Sequence, residues 1–359
     1  MIRIVTRKDL REQIGIPAVG PGAISEKLRE ILLSNPAATR DDNEPIQILS
    51  IKDGEAIGRL NLFSGKICVE GADPQQIQWG SGFLVPPEHR ASGAGLAILF
   101  RAQGLPYAMG SVGASQLAAP IYRKLNWVDL IAPRYLLPRR ARPLLERYIK
   151  QHLLLAIAAA LGTLALKLYG LWPWLRILSG TAGLRVEAIN RLPDELDPLV
   201  QRISKPAYCW RSVAWVNWIA NTPGRESPGL FLVRDSGGRP VGYFLIRHQL
   251  HTEGGGGKWK NFVLGSVKDW MTFDSSAVTD AQLIGLGIRE LMRHPEIDVI
   301  DACVAEEHDG QILRGLGMRR MGGMHFMFRA RPKSPLDHEQ YRDIAAWRIR
   351  PADGDYFLF

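Results

Sequence analysis

A run of 14 residues without a charged side chain divides this chain of 359 residues near its middle. The run covers residues 153–166, and after Lys167 a second apolar stretch continues over residues 168–175. At about 1.5 Å per residue, one helix over both stretches could cross the roughly 30 Å hydrocarbon core of a bilayer. Segments of comparable length and order of elements lie on either side, so we expect two related units joined by a helix.

Composition places both units among ordinary globular proteins. Hydrophobic residues make up 46% of the chain and charged residues 23%, which excludes a disordered, collagen-like or disulfide-scaffold chain. The three cysteines, Cys68, Cys209 and Cys303, form no C-x-x-C pair, so we expect neither a disulfide framework nor a structural zinc site. The N-terminus has no signal-peptide pattern, and we expect a cytoplasmic, reducing environment.

Positive charge is concentrated beside the apolar run. The whole chain carries +9, and residues 134–176 alone carry +7, because eight basic residues there face only Glu146. The eight are Arg134, Arg139, Arg140, Arg142, Arg147, Lys150, Lys167 and Arg176. Such a local cluster differs from the broad basic surface of a nucleic-acid-binding protein, so we expect no nucleic-acid partner.

The apolar run has two interpretations that the sequence leaves open. Residues 139–178 could hold the protein on the inner face of an anionic membrane, with Trp172 and Trp174 at headgroup level. Alternatively, the run could be a buried helix packed between the two units. A spanning helix is disfavoured because it would separate the units and place Lys167 in the apolar region, and Pro173 would break it near its end.

The first unit, residues 1–137, predicts a hairpin-rich sheet followed by alternating helices and strands. Strands are expected at 2–5, 46–52, 56–63, 76–85, 107–112 and 127–137, and helices at 8–13, 25–34, 88–103 and 115–125. Asp53-Gly54 marks the first hairpin, and Pro86-Pro87 ends the fourth strand. This order indicates a mixed α/β, or α+β, fold with a central, mostly antiparallel sheet flanked by helices.

The loop after the fourth strand has the composition of a phosphate-binding turn. The sequence Val85-Pro-Pro-Glu-His-Arg90-Ala-Ser-Gly93-Ala-Gly95 places an arginine and two glycines where a helix begins. Backbone amides at a helix N-terminus attract anions, and glycine lets a ligand approach the backbone closely. An ordinary helix start with tightly packed glycines would look the same.

Two motifs in order make the resemblance to a known superfamily specific. The pattern V-x-P-E-x-R-x-x-G-x-G resembles the pyrophosphate-binding motif of the GNAT superfamily of acyl-CoA-dependent N-acyltransferases. Downstream, residues 115–127 resemble its second signature, N-x-x-A-x-x-L-Y-x-K-L-G-F. The departures are Ser115 for Asn, Asn126 for Gly and Trp127 for Phe.

The resemblance implies acetyl-CoA as co-substrate and a small-molecule amine as acceptor, without a metal. It implies a diphosphate on the amides of Arg90, Ala91, Ser92, Gly93, Ala94 and Gly95, and a pantetheine arm along Phe83, Leu84 and Val85. Tyr122 stands where many members carry the acid that protonates the departing thiolate; a helix tyrosine packed on the sheet is the alternative. Glu70, Asp73 and Glu88 remain open as general-base candidates.

The remaining chain divides into three segments. Residues 138–180 form the basic and apolar helical linker, residues 181–332 a second GNAT-like unit, and residues 333–359 a C-terminal tail. The second unit is degenerate, because residues 274–280 lack the R-x-x-G-x-G pattern and contain aspartates that would repel a diphosphate. We expect no metal at His248-x-x-His251, since no further ligands are identified.

The sequence therefore supports two hypotheses of different classes. The first is an N-acetyltransferase that moves an acetyl group from acetyl-CoA to an amine, such as an amino-sugar or another small biosynthetic intermediate. The second is a non-catalytic protein of the same fold that senses acyl-CoA. The oligomeric state is left open.

Overall fold

The computed structural model describes residues 1–115, 117–146, 148–201, 205–222, 229–251 and 261–354. Its strands are β1 (Ile2–Thr6), β2 (Pro45–Lys52), β3 (Glu55–Val69), β4 (Gln75–Leu84), β5 (Ala108–Val112), β6 (Val128–Pro138), β7 (Arg185–Ala188), β8 (Ala207–Cys209), β9 (Leu230–Arg234), β10 (Pro240–His251), β11 (Phe262–Thr272), β12 (Val299–Cys303), β13 (Arg319–Arg329) and β14 (Trp347–Arg348).

The α-helices alternate with these strands. They are α1 (Arg7–Glu12), α2 (Glu26–Leu33), α3 (Ala94–Gln103), α4 (Ala119–Lys124), α5 (Arg142–Leu145), α6 (His152–Gly180), α7 (Asp197–Val200), α8 (Val213–Ala220), α9 (Asp280–Met292) and α10 (Glu307–Gly315). Polar caps start several of them: the Thr6 and Thr279 side chains accept from backbone amides at the starts of α1 and α9 in capping boxes.

A single mixed sheet runs through both halves of the chain. Its main path follows the order β1-β2-β3-β4-β5-β13-β6-β12-β11-β10-β9-β7, while β8 pairs with β3 and with β14. Neighbours are antiparallel except β4 with β5, β11 with β12 and β8 with β14. The mixed α/β class and its flanking helices are thereby confirmed.

The two halves exchange their last strands. β13, from the second half, lies between β5 and β6, pairing Phe326 with Val112 on one side and with Leu130 on the other. β6, from the first half, in turn pairs with β12 of the second half. The sequence analysis places one sheet in each unit; the exchange joins them into one sheet, because each terminal strand completes the other half.

Helices cover both faces of this sheet. On one face α3 and α4 pack over the first half, in a cluster with Met327, and α9 and α10 pack over the second half, in a cluster with Tyr135. The register of β6 shows that both clusters lie on the same face of the sheet. Asp129 pairs with Met327 of the first cluster, and because alternate strand residues share a face, it lies on the same side of β6 as Tyr135 of the second cluster. On the opposite face lie α1, α2, α8 and the tail residues Trp347 and Ile349.

The long helix α6 lies outside these clusters along most of its length. Among the described residues, α6 is the one helix that is both long enough and apolar enough to cross a membrane. Only 11% of its most apolar window is buried inside the protein. The interpretation as a buried interdomain helix is therefore wrong: the helix lies on the surface, with Ile177 as its deepest contact to the α9 cluster.

Candidate functional site

A bulge and a left-handed glycine shape the predicted phosphate turn. In β4, the register shifts so that Ser81 faces Asn61 while Leu84 faces Arg59, and Gly82 between them has φ +56°. The chain then forms a 3-10 turn over Pro87–Ser92. Gly93 follows with φ +77°, a conformation that costs other residues free energy, and α3 begins directly after it.

The turn leaves amides of α3 facing outward. The first amides of a helix have no helical acceptor; that of Ala94 donates to Ser92 Oγ at 3.3 Å. Apart from Gly93 and its two chain neighbours, no heavy atom of the described residues lies within 4 Å of the position a Cβ would take on Gly93. Arg90 is exposed, and its Nε donates to the carbonyl of Val85 at 3.3 Å. An anion at this turn could therefore contact accessible backbone and the guanidinium of Arg90.

The strands beside this turn separate in the way a threaded ligand requires. β4 and β5 pair in parallel only from Ile77 with Ala108 to Trp79 with Gly110. Beyond Trp79, β4 keeps its pairing with β3 as far as Leu84. The edge of β4 that includes Phe83, Leu84 and Val85 of the predicted arm site therefore lies beyond the end of the β4–β5 ladder, where an extended chain could add as a strand.

Tyr122 lies in the core under this opening. Its side chain is 3% exposed and packs in the α3/α4 cluster, with its ring centroid 4.5 Å from that of Trp127. The ring therefore packs on the sheet whatever its hydroxyl does. The nearby Asn126, which replaces the motif glycine, adopts φ +59°, a left-handed conformation that asparagine tolerates.

A histidine that the sequence analysis missed reaches this region on the exchanged strand. The carbonyl of His325 accepts a hydrogen bond from the Gly113 amide at 2.7 Å, just after the end of β5. Its Nδ1 lies 2.8 Å from Asp129 Oδ1, and Arg123 Nε donates to Asp129 Oδ2 at 2.7 Å. Sequence separation hid this group, because His325 lies about 200 residues from its partners.

The three acidic base candidates do not meet at the opening. Glu70 and Asp73 are exposed at the turn that precedes β4, about 20 Å from the separation point at roughly 3.3 Å per strand residue. Glu88 is exposed on the 3-10 turn. The structure thus keeps Glu70 and Asp73 away from the end of β5 and leaves Glu88 on the exposed turn that follows β4.

The C-terminal tail reaches the same opening from the opposite face. A Cβ placed on Gly354 would lie 2.6 Å from Val112 Cγ2 and 3.1 Å from Trp79 Cε3, so only a glycine allows this approach. Asp353 is anchored by an ion pair with Arg211, whose Nε also contacts Asp269 Oδ2 at 3.2 Å. All three side chains are at most 3% exposed, so a buried, paired network fixes the end of the described tail.

The tail also occupies the equivalent opening of the second half. β11 pairs with β12 only as far as Val267 with Ala302, and the next carbonyl, that of Lys268, accepts from the Ala352 amide at 2.8 Å. At the start of α9, Asp280 is paired with Arg350 at 2.6 Å. Burial raises the pKa of Asp280, but the two arginines of the tail outweigh it and lower the pKa overall.

Two other features of the second half lie away from the motif loop. A cavity of about 370 Å³ lies between the end of α6, the start of α9 and α10, lined by Arg176, Gln282 and His308 among others. His248 groups with His294 and Glu296 rather than with His251, their ligand atoms lying within 4.8 Å of one another. Glu296 lies within hydrogen-bond distance of His294, at 3.2 Å, and within ion-pair distance of His248, at 3.6 Å.

Comparisons with known proteins identify the fold. No model of a known protein family matches the chain, and no curated protein sequence does. Among solved structures, N-myristoyltransferase of Saccharomyces cerevisiae with bound myristoyl-CoA aligns at a TM-score of 0.54 and 13% identity, over 97% of this chain and 89% of that chain. A probable N-acyltransferase from Enterococcus faecalis aligns at a TM-score of 0.52 and 11% identity, over 92% and 72%. The chain therefore shares its overall fold, across both halves, with these two solved structures.

Proposed function

We propose that this protein transfers an acyl group from acyl-CoA to an amine, with acetyl-CoA as the donor and a small-molecule amine as the acceptor. The observation that carries the proposal is the separation of β4 from β5 directly before the Gly93 turn. A thioester arm inserted there would reach the end of β5 while its diphosphate lies on the amides that begin α3. The shared fold of the acyltransferases above supports the same reaction class.

The residues have separate roles in this proposal. Arg90 and the amides from Ala91 to Gly95 bind the diphosphate, and the β4 edge from Phe83 to Val85 binds the pantetheine arm. The amine attacks the thioester carbonyl, so a new C–N bond forms as the C–S bond breaks. Tyr122 donates a proton to the departing thiolate.

The amine must also lose a proton, and we assign that step to His325. Its position beside Gly113 and its Asp129 partner support the role, since a carboxylate at Nδ1 orients the ring and leaves Nε2 to accept the proton. The second half would then supply the base for a site built on the first half.

One experiment separates this proposal from its alternative. Calorimetric titration with acetyl-CoA and myristoyl-CoA would measure donor binding, and release of free thiol in the presence of amines, amino-sugars and peptides would measure transfer. Binding with transfer supports the proposal. Binding without transfer to any acceptor class would instead support the acyl-CoA sensor, and absence of binding to both donors would refute the cofactor assignment.

We also propose a cytoplasmic location. All three cysteines are free and buried, which suits a reducing compartment. Burial raises the pKa of Cys303 to about 12 and that of Cys209 well above its usual value, so neither is a ready nucleophile. Fluorescence microscopy of a tagged chain and fractionation of cells into soluble and membrane pools would test the location.

A further inference from the structure

The outward face of α6 consists of large apolar side chains. They repeat at the spacing of one helical face, at about 100° per residue, and each is more than half exposed to solvent. The members of this outward stripe are Ile157, Leu161, Leu164, Leu168, Leu171, Trp172 and Leu175. A surface helix of a soluble protein carries polar residues on this side, so the stripe requires a partner.

The inward face of α6, which includes Leu155, Ala159 and Ile177, is fixed to the linker and to the second half. Thr163 Oγ1 accepts from the Ala141 amide at 3.1 Å, and the Tyr169 hydroxyl donates to the Gly317 carbonyl at 2.7 Å. Farther along, Arg176 donates to the Gly315 carbonyl at 2.9 Å, and the Gly180 carbonyl accepts from Gln282 Nε2 at 2.6 Å. The helix is therefore held lengthwise against the protein body.

Strand exchange excludes a membrane crossing by α6. A single crossing would place the strands before the helix and those after it on opposite sides of the bilayer. However, β13, which follows α6, is hydrogen-bonded between β5 and β6, which precede it. Both ends of the helix therefore lie on one side, and the stripe can meet a bilayer only from within the interface.

Charge around the stripe selects the kind of surface. Lys167 and Arg176 lie about 90° to either side of the stripe, at 100° per residue, and both are exposed. Lys167 can reach headgroups with its full length, whereas one guanidinium nitrogen of Arg176 is held by the Gly315 carbonyl and its other donors can contact headgroups. Lys150 is exposed just before the helix. Arg139 instead donates to the carbonyls of Leu291 and His294, and is structural. Arg140 and Arg142 are paired with Asp298 and Glu146, and Arg147 lies outside the described residues.

We propose that α6 lies in the plane of an anionic lipid bilayer, with the stripe in the acyl-chain boundary and its flanking cations at the phosphates. Apolar burial supplies the affinity and the cations supply the preference for anionic lipid. A second copy of this chain fits the stripe less well, because self-association would bring together two copies of α6, which carries Lys167 and Arg176 and no acidic residue.

Binding to vesicles tests this surface independently of acyl transfer. The purified chain is sedimented with phosphatidylcholine vesicles with and without phosphatidylglycerol, at low and high salt. We expect binding to the anionic vesicles that weakens with salt. The double variant L161E/L168E should bind about tenfold or more weakly, whereas L250E, at an exposed leucine outside the helix, should bind as the wild type does.

Two further measurements make the proposal refutable. Fluorophores on L161C and L175C should report the same shallow depth by lipid-phase quenching, and clearly different depths would overturn the in-plane orientation. Analytical ultracentrifugation tests the competing occupant: absence of vesicle binding together with a dimer that L161E/L168E dissociates would assign the stripe to a second copy. Absence of vesicle binding at every salt concentration overturns the proposal in any case.

Discussion

The amide of Gly113 donates a hydrogen bond of 2.7 Å to the carbonyl of His325, although more than 200 residues separate them. This bond joins the end of β5 to the strand that the second half contributes. β13 lies on the side of β5 away from β4, so the second half borders the opening between β4 and β5 through its tail, where Gly354 approaches Val112 and Trp79.

The Gly93 turn gives the sharpest test of donor binding. Gly93→Ala places a methyl group in the open space above the α3 amides and strains a φ of +77°. Gly54→Ala is the matched control, because Gly54 has φ +84°, open space and no place in the site. Both should lose about 1 kcal/mol of stability. Only Gly93→Ala should weaken acetyl-CoA binding, by about tenfold or more in calorimetric titration; equal affinities would contradict the assignment.

Gly95 is the less discriminating position. A Cβ there would lie 3.2 Å from Phe83 Cζ and 3.5 Å from Val85 Cγ2, so the glycine lets α3 pack on the end of β4. Gly95→Asp should therefore weaken acetyl-CoA binding severely through both the repelled diphosphate and the displaced strand. Thermal unfolding of this variant should show a lower Tm than that of Gly93→Ala, and an unchanged Kd in a folded variant would refute the cofactor site.

Tyr122→Phe separates the acid from the packing residue. The aromatic contact with Trp127 at 4.5 Å is retained, so acyl-CoA affinity should change little, while kcat should fall roughly 10²-fold if the hydroxyl protonates the thiolate. Tyr243→Phe removes another buried hydroxyl, which donates to Asp269 at 2.9 Å in the second half, and should lower stability without this loss of kcat. Wild-type turnover by Tyr122→Phe would leave Tyr122 as a packing residue.

His325→Gln tests the proton acceptor through kcat. Glutamine cannot accept a proton, so kcat should fall roughly 10²-fold while acetyl-CoA affinity changes little. His338→Gln, at an exposed tail histidine, should leave kcat unchanged. Wild-type turnover by His325→Gln would mean that another group accepts the proton.

Local patterns predicted the elements of the first half because their signals are short in range. Pro86-Pro87 follows the end of a strand, and the helix expected over 88–103 is divided by the left-handed Gly93 into a 3-10 turn over Pro87–Ser92 and α3 over Ala94–Gln103. Asn126 departs from the motif glycine, but its φ of +59° lies in the left-handed region that glycine and asparagine both tolerate. Here the sequence carries the constraint within a few residues of the place where it acts.

Strand exchange could not be predicted from the same patterns. β6 and β13 each lie near the end of their own half of the chain, and hydrophobic periodicity does not indicate with which half of the sheet either strand pairs. The His325–Asp129 contact and the approach of Gly354 to Trp79 depend on that choice. The exposure of α6 was equally hidden, since an apolar helix has the same sequence whether protein or lipid covers it.

The second half should also have a measurable dependence of stability on pH. Asp309, at the start of α10, is 5% exposed, and its pKa is raised to about 6, chiefly by desolvation. The charges of Asp280 and Glu306 also raise this pKa, whereas those of Arg350 and His308 lower it. Because this pKa is raised on folding, the stability contributed by Asp309 is full below the unfolded pKa near 3.8 and is lost as pH rises through about 6.

Asp309→Asn should remove that loss and raise the free energy of unfolding at pH 7 by at most about 3 kcal/mol, at about 1.4 kcal/mol per pKa unit. Urea unfolding at pH 4 and pH 7 measures the difference, with the exposed Asp73→Asn as a control expected to follow the wild type. If the free energy of unfolding of Asp309→Asn depends on pH as that of the wild type does, Asp309 ionises in the folded protein without loss of stability.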